Sequence, residues 1–282
     1  MKVGIIGLGL MGGSFALDLK TPFPKWIIYG CDQFKENEKK AFELGIIDHV
    51  ISLDDLNKMD IVLVSVPVDN SLKVLKKVLD IVNNKTLVFD VGSTKEIICK
   101  FLKGHKKRSN YLATHPMAGT EHSGPESAQK GLYVGKTNII CEFEKTEKDL
   151  QILALKIFDS LKMKTIYMDP KSHDIHVAYV SHLSHISSFM LGKTVIEKEK
   201  NENNIFDLAG SGFESTVRLA KSNPKTWSSI FLQNKTNLAA AIDQYVKNLN
   251  IIKDLIIEND NAKLKKVLEN TNRIKNILNK KQ

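Results

Sequence analysis

The hydrophobic positions of the first half of the chain fall into short apolar runs separated by segments with helical spacing. Runs of this kind, rich in β-branched residues and without polar alternation, are typical of strands that a parallel sheet buries on both faces. The predicted strands are residues 3–6, 26–31, 61–66, 86–91, 111–113, 137–141 and 165–168. The predicted helices between them are residues 10–19, 36–44, 70–82 and 147–161. The alternation of strands and helices predicts an α/β domain.

Beyond Asp169 and Pro170 the pattern changes, because only helical spacing follows. It predicts a long helix over residues 173–200, a short one over 215–222, a second long one over 226–250 and further helix through 251–282. We therefore predict an α/β Rossmann-type dinucleotide-binding domain over residues 1–169, followed by an all-α dimerisation domain over residues 170–282. Apolar positions on several helix faces favour a homodimer, and a self-contained monomeric bundle is the alternative.

The charge of the chain says little about a partner. The 282 residues carry a formal net charge of +9, and all but three of the 41 basic residues are lysines. Sequence-specific reading of nucleic-acid bases depends on bidentate arginine contacts, so this composition is a poor match for it. Most of the excess charge lies in residues 261–282, on a predicted solvated helix. We expect no nucleic-acid partner.

Cysteine usage and hydropathy bear on the location of the protein. Cys31, Cys99 and Cys141 are far apart in the chain, which indicates reduced thiols in a cytoplasmic protein. The apolar residues 3–17 include five glycines and are followed at once by Asp18, which argues against a signal peptide. No uncharged apolar run reaches about 18 residues, so no membrane-spanning helix is expected.

A glycine-rich loop joins the first predicted strand to the first predicted helix. Residues 7–12 read Gly-Leu-Gly-Leu-Met-Gly, which is the G-x-G-x-x-G fingerprint in the context it requires. Asp32 ends the second strand, where an acid accepts hydrogen bonds from the adenosine ribose and repels a 2′-phosphate. The alternative is a tight turn with a solvent-exposed aspartate. The predicted NAD-binding residues are Gly7, Leu8, Gly9, Leu10, Met11, Gly12, Asp32, Val66 and Pro67.

Two polar side chains follow later strands at the edge where a doubly wound sheet binds its ligand. Ser93 comes just after the strand that ends at residue 91, and it is a candidate either for ligand contact or for a helix N-cap. His115 precedes Pro116, which keeps the histidine out of the helical region. A histidine constrained there is a candidate general base, because its ordinary pKa lies near neutrality. A structural histidine is the alternative.

Arg218 is one of only three arginines and lies in the segment 210–222. Its planar fork suits a substrate carboxylate, and a surface ion pair is the alternative. Four histidines crowd residues 173–185, but they lack the H-E-x-x-H pattern and a nearby cysteine. We therefore predict no metal site.

Together these segments resemble the prephenate dehydrogenase family of tyrosine biosynthesis, over nearly the whole chain. The resemblance rests on residues 7–12 and 92–95, the H-P-M-A-G-T-E string at 115–121 with Ser123 and Gly124, residues 169–185 with their S-H-L-S-H string at 181–185, and residues 210–227. It implies a Rossmann domain, a helical dimerisation domain and NAD-dependent oxidative decarboxylation of prephenate to 4-hydroxyphenylpyruvate. Arogenate dehydrogenases share these motifs. Ser184 and Ser211 depart from the family pattern, which often has proline and glycine there.

The resemblance also implies a role for individual residues. His115 matches the histidine that takes the proton of the substrate's ring hydroxyl, and Ser93 matches the serine that orients both groups. Arg218 matches the arginine that binds a substrate carboxylate. The remaining residues implied in the substrate pocket are His185, Thr120 and Gly212.

The motifs are also compatible with three alternative functions. An arogenate dehydrogenase, which makes tyrosine directly, shares every motif named above. A β-hydroxyacid dehydrogenase has a similar glycine loop but lacks the residue 115–121 string. A dinucleotide-responsive regulator is the alternative from outside the enzymes, and its basic tail would contact nucleic acid. We expect an oxidoreductase whose partners are prephenate, or arogenate, and a second copy of the chain.

Overall fold

The structure is a computed structural model that describes residues 1–200, 202 and 204–279. The chain packs as two compact units, Met1–Lys235 and Thr236–Gln282. This division differs from the predicted domain boundary near residue 170, which stays a prediction. The predicted C-terminal helical segment runs past the described residues at positions 280–282. No helix in the described part of the chain is long and apolar enough to cross a membrane.

Eight strands form one sheet in the first unit. They are β1 (Lys2–Ile6), β2 (Ile27–Cys31), β3 (His49–Val50), β4 (Ile61–Val64), β5 (Leu87–Asp90), β6 (Tyr111–Pro116), β7 (Thr137–Cys141) and β8 (Lys164–Met168). Their spatial order is β3-β2-β1-β4-β5-β6-β7-β8. The first six strands pair in parallel, in the order of a doubly wound nucleotide-binding fold. The predicted Rossmann-type fold is therefore confirmed.

The sheet departs from the expected parallel arrangement at its far edge. β7 pairs antiparallel with β6, and β8 pairs parallel with β7. A parallel return needs a crossover, usually a helix. Between β6 and β7 the chain forms only a short 3₁₀ turn, Pro125–Ser127, so it returns antiparallel. β3 escaped prediction because two residues carry no readable period.

Helices cover both faces of the sheet and continue into the second unit. They are α1 (Leu10–Lys20), α2 (Lys35–Glu43), α3 (Val68–Ile81), α4 (Glu96–Leu102), α5 (Lys148–Ser160), α6 (Pro170–Val177), α7 (Leu183–Glu199), α8 (Ser211–Val217), α9 (Pro224–Gln233), α10 (Lys235–Ile257), α11 (Asn261–Thr271) and α12 (Ile274–Asn279). Successive residues of β4 alternate between two core clusters, with Ile61 and Leu63 in one and Val62 and Val64 in the other. Burial on both faces explains the uninterrupted apolar runs.

The predicted long helix over residues 173–200 begins earlier and is interrupted. α6 starts at Pro170, because the Asp169 carboxylate caps the backbone N–H groups of Lys171 and Ser172. An aspartate followed by proline is a helix start signal. A π-helical turn, Ala178–His182, joins α6 to α7. The short helix predicted at 215–222 begins instead at Ser211, as α8.

The helix predicted over residues 226–250 is broken at Asn234, between α9 and α10. Asn234 is buried, and its side-chain nitrogen donates to the carbonyl of Asp174 at 2.6 Å. The same nitrogen lies 3.2 Å from Nδ1 of His182. Because these partners are remote in sequence, the helical spacing around Asn234 could not reveal the break.

Candidate active site

The glycine-rich loop has the backbone geometry that its sequence requires. Gly7 has φ +91°, and a Cβ there would lie 2.1 Å from the carbonyl oxygen of Ser65. A Cβ on Gly12 would lie 2.1 Å from the carbonyl oxygen of Gly7. A Cβ on Gly9 would meet nothing closer than the backbone nitrogen of Gly124, 4.0 Å away. The loop therefore leaves room beside Gly9, at the start of α1, where the pyrophosphate of a dinucleotide would bind.

Asp32 holds this loop in place from the end of β2. Its Oδ2 accepts the backbone N–H of Leu8 at 2.9 Å. Its Oδ1 accepts the backbone N–H of Phe34 and the side-chain amide of Asn37, both at 3.0 Å. The carboxylate is thus half-buried and tied to the fingerprint, rather than being a free surface group. The chain order of the sheet changes direction between β1 and β4, which is where such folds bind ligands.

A cavity of about 490 Å³ opens beside the loop, in the first unit. The predicted site residues that line it are Gly9, Leu10, Met11, Val66, Pro67, Ser93, His115, Thr120, His185 and Arg218. Gly7, Leu8, Gly12 and Asp32 build the loop without lining the cavity. Gly212 is exposed and apart from the cavity, and its carbonyl accepts the hydroxyls of Ser215 and Thr216.

Ser93 lies half-buried in the cavity wall, just after β5. The N-cap alternative does not describe it, because α4 begins at Glu96 with Lys95 as its N-cap residue. Ser93 therefore keeps its hydroxyl available to a ligand in the cavity.

His115 lies near the end of β6 with 7 % of its surface exposed. Its Nδ1 is 2.8 Å from Nε2 of His173, and Nδ1 of His173 is 2.7 Å from Oδ1 of Asp174. Burial is the main cause that lowers the pKa of His115 well below its ordinary 6.5, with smaller effects of His173, Lys95 and His182. A histidine that is neutral at pH 7 can accept a proton.

A second buried charge network lies beneath this histidine. The Lys95 ammonium is fully buried and lies 2.6 Å from Oδ2 of Asp90. Oδ1 of Asp90 accepts the hydroxyl of Tyr111 at 2.7 Å. Lys95 belongs to the segment 92–95, which the resemblance includes. Its ion pair with Asp90 depends on the turn after β5, and the sequence pattern does not reveal that turn. The Lys95 ammonium also donates to the carbonyls of Gly92 and Thr94, on either side of Ser93, and so fixes the backbone that carries the serine.

Arg218 lies at a more open part of the same cavity. Its Nη1 is 3.2 Å from Oε2 of Glu121, and about half of the Arg218 side chain is exposed. The surface ion pair considered as the alternative does form, and it forms at the cavity. The His185 ring stacks on Trp227 with centroids 3.3 Å apart, and burial is the first cause that lowers the pKa of His185. Sequence reasoning assigned no role to Glu121 or Trp227.

The four histidines of residues 173–185 have four different environments. His173 lies between His115 and Asp174, and Nδ1 of His176 contacts Sδ of Met168. Nδ1 of His182 faces Asn234, and His185 stacks on Trp227. These side chains diverge rather than converge on one point, and no metal-binding group of three His, Cys, Asp or Glu occurs among the residues described.

Comparisons with known proteins identify a nucleotide-binding domain followed by a second domain. The nucleotide-binding domain of prephenate dehydrogenase matches residues 15–167, and the prephenate dehydrogenase dimerization domain matches residues 169–270. A prephenate dehydrogenase of Lactococcus lactis is 30% identical over 280 residues, which cover 97% of this chain and 76% of that protein.

Two solved structures share the fold over nearly their whole length. Aquifex aeolicus prephenate dehydrogenase, in complex with hydroxyphenyl propionate and NAD+, matches with a TM-score of 0.90 at 36% identity, over 98% of this chain and 97% of that one. Synechocystis arogenate dehydrogenase matches with a TM-score of 0.78 at 26% identity, over 99% of this chain and 100% of that one. From its two domains and its relatives, the chain belongs to the prephenate dehydrogenase family.

Proposed function

We propose that this protein catalyses the NAD-dependent oxidative decarboxylation of prephenate to 4-hydroxyphenylpyruvate, a step of tyrosine biosynthesis. The observation that carries the proposal is a cavity lined by the glycine-rich loop, the buried imidazole of His115 and the half-exposed guanidinium of Arg218. Relatives named prephenate dehydrogenase support the same substrate.

His115 acts on the ring hydroxyl of the substrate. NAD+, when bound, supplies the acceptor for the hydride that leaves the hydroxyl-bearing carbon. As the C–H bond breaks, neutral His115 takes the hydroxyl proton, and the ring carbon–oxygen bond becomes a carbonyl. Loss of carbon dioxide then returns an electron pair to the ring, which becomes a phenolate. The phenolate takes the proton back, so His115 ends the cycle as it began.

Ser93 and Arg218 hold the substrate in register with the base. The Ser93 hydroxyl, after β5, orients the ring hydroxyl toward His115. The Arg218 guanidinium binds a substrate carboxylate, for which it exchanges its present partner Glu121. His185 and Thr120 complete the cavity wall. Positioning of this kind supplies much of the rate, because aromatisation of the ring already drives the reaction.

The cofactor is NAD rather than NADP. Space beside Gly9 accommodates a pyrophosphate, and the Asp32 carboxylate at the end of β2 repels a 2′-phosphate. The predicted cytoplasmic location accords with three cysteines that are buried and free.

A spectrophotometric assay with both substrates and both cofactors tests the proposal. We expect NADH absorbance to rise with prephenate and NAD, and kcat/KM to be higher for prephenate than for arogenate. Asp32→Ser should narrow the preference for NAD over NADP. A higher kcat/KM for arogenate would replace the proposed substrate. A flat trace with both substrates, together with salt-sensitive DNA binding, would instead favour a regulator.

The working form is a homodimer assembled through the helical domain. The second unit exposes large apolar side chains at Leu249, Ile256, Ile257, Leu268 and Ile277. Exposed apolar surface of this extent is typical of an interface. Light scattering on the purified protein should give twice the mass of one chain, and the mass of one chain at micromolar concentration would contradict the dimer.

A further inference from the structure

We propose that His173 and Asp174 are positioning residues that fix the tautomer of His115, so that Nε2 of His115 is the nitrogen that receives the substrate's proton. This inference rests on the proposed dehydrogenase function. It assigns a role to two buried residues that do not line the cavity and to which sequence reasoning assigned no role.

The Asp174 residue that ends this hydrogen-bonded series is 2 % exposed. Its Oδ1 accepts the backbone N–H of Lys95 at 2.8 Å, and its Oδ2 accepts the backbone N–H of Glu96 at 3.0 Å. These two bonds hold the carboxylate against the first turn of α4. A carboxylate offers only acceptors, so the hydrogen of its 2.7 Å bond to His173 belongs to Nδ1 of His173.

The state of His173 follows from its own burial. His173 is fully buried, and desolvation lowers its pKa below 6.5, although the hydrogen bond that it donates to Asp174 acts in the opposite direction. A neutral imidazole carries one hydrogen, and that hydrogen is on Nδ1. Nε2 of His173 is therefore an acceptor.

The same reasoning then fixes the hydrogen of His115. The 2.8 Å bond between the two rings needs one hydrogen, which Nδ1 of His115 must supply. Neutral His115 consequently has a lone pair on Nε2, and its ring lines the cavity. The opposite tautomer would present an N–H donor to the substrate and could not accept its proton.

The arrangement also supports the charged form of the base. When the substrate O–H bond breaks and an N–H bond forms at Nε2, the positive His115 ring still donates Nδ1–H to His173. His173 in turn still donates to the Asp174 carboxylate. The other titratable groups that act on His115 and His173 are Lys95, Asp90 at the end of β5, and His182 on the π-helical turn. The carboxylate of Asp174 is the group that offsets the transient positive charge through His173.

Two substitutions that differ by one methylene separate positioning from packing. In His173→Asn the amide stands about where Nδ1 was, so the bond to Asp174 can form but His115 loses its acceptor. In His173→Gln the amide reaches about where Nε2 was, so His115 keeps an acceptor. We expect kcat to fall at least about 10-fold in His173→Asn, because a wrong tautomer forfeits part of general-base help worth about 10²- to 10⁴-fold. KM for prephenate should barely change, and His173→Gln should recover most of kcat.

The matched control is His176→Asn, on the same helix but exposed, with its Nδ1 3.3 Å from Sδ of Met168. It should match the unchanged enzyme in kcat and KM. Equal losses in His173→Asn and His173→Gln would indicate packing alone and would overturn the inference. An unchanged kcat in His173→Asn would do the same.

Nitrogen-15 NMR of histidine-labelled enzyme reads the tautomer directly. We expect the His115 hydrogen on Nδ1 in the unchanged protein and a mixture of tautomers in His173→Asn. A hydrogen on Nε2 in the unchanged protein would overturn the inference, even if the enzyme oxidises prephenate. Absence of NADH formation by the unchanged enzyme would instead refute the proposed function, so the two failures are distinguishable.

Discussion

The proposed base, His115, and the proposed carboxylate-binding group, Arg218, are held in opposite ways in this cavity. His115 is 7 % exposed and hydrogen-bonded to a buried histidine that is itself bonded to a buried carboxylate. Arg218 has about half of its side chain in solvent and a single 3.2 Å contact to Glu121. In the proposed function, His115 is fixed before the substrate arrives, and Arg218 changes partner when it does.

The difference follows from what each group must do. A base that accepts a proton has to present one nitrogen, with one tautomer and one charge, and buried hydrogen bonds specify all three. A group that binds a dianion must first be solvated and then exchange its contact, and an exposed ion pair is weak enough to permit this. Removal of His115 should therefore lower mainly kcat, whereas removal of Arg218 should raise mainly KM for prephenate.

The largest effect on the kinetic constants is expected at His115, the group that buried hydrogen bonds hold in place. His115→Asn removes the proton acceptor, and kcat should fall about 10²- to 10⁴-fold. KM for prephenate should change little, because the carboxylate contact at Arg218 remains. Steady-state kinetics with saturating NAD measure both constants. Near-unchanged turnover would remove His115 from the mechanism.

Substitution of Arg218, the group that exchanges its partner, should change KM more than kcat. Arg218→Ala loses a charged hydrogen bond, and KM for prephenate should rise about 10- to 100-fold while kcat falls less. Arg218→Lys keeps the charge without the fork and should lie between. Lys221→Ala, an exposed cation nearby that pairs with Glu214, is the matched control and should leave KM alone. NAD affinity, from fluorescence titration, should stay constant throughout.

The pH profile distinguishes a buried base from an ordinary histidine. His115 works when neutral, and burial lowers its pKa well below 6.5, so it stays neutral as the pH falls through 6.5. The acid limb of kcat/KM should therefore lie below pH 6.5. A histidine with its ordinary pKa would retain only about one tenth of the activity at pH 5.5. An acid limb centred at 6.5 or higher would contradict the buried geometry.

The smallest effect is expected at Glu121, which competes with the substrate for Arg218. Glu121→Gln should lower KM for prephenate by at most about fivefold, the weight of an exposed ion pair. Added salt should reduce the difference between the two proteins, since it screens exposed charges. A raised KM would show that Glu121 helps to bind the substrate rather than compete with it.

Features with local causes could be predicted from the sequence. The glycine loop was one, because the φ of Gly7 and the tight packing at Gly12 follow from residues close in the chain. The strands buried on both faces were another, since their apolar runs are continuous. Ser93, His115 and Arg218 do reach one cavity, as the resemblance to the family implied.

What escaped prediction depends on contacts between distant segments. His173 lies 58 residues from His115 and Asp174 lies 79 residues from Lys95, so no spacing rule links these pairs. The break at Asn234 has the same origin, because its side chain bonds Asp174 across the fold. Gly212 was expected in the pocket from its motif, yet it is exposed outside the cavity.

The central claim is that His115 performs the chemistry while Arg218 binds the substrate. Single-turnover hydride transfer, followed as NADH absorbance at saturating NAD and prephenate, tests it most directly. We expect His115→Asn to slow this step about 10²- to 10⁴-fold. We also expect Arg218→Ala to approach the rate of the unchanged enzyme once prephenate saturates. Equal slowing of hydride transfer in both variants at saturation would contradict the division between a fixed base and an exchangeable anchor.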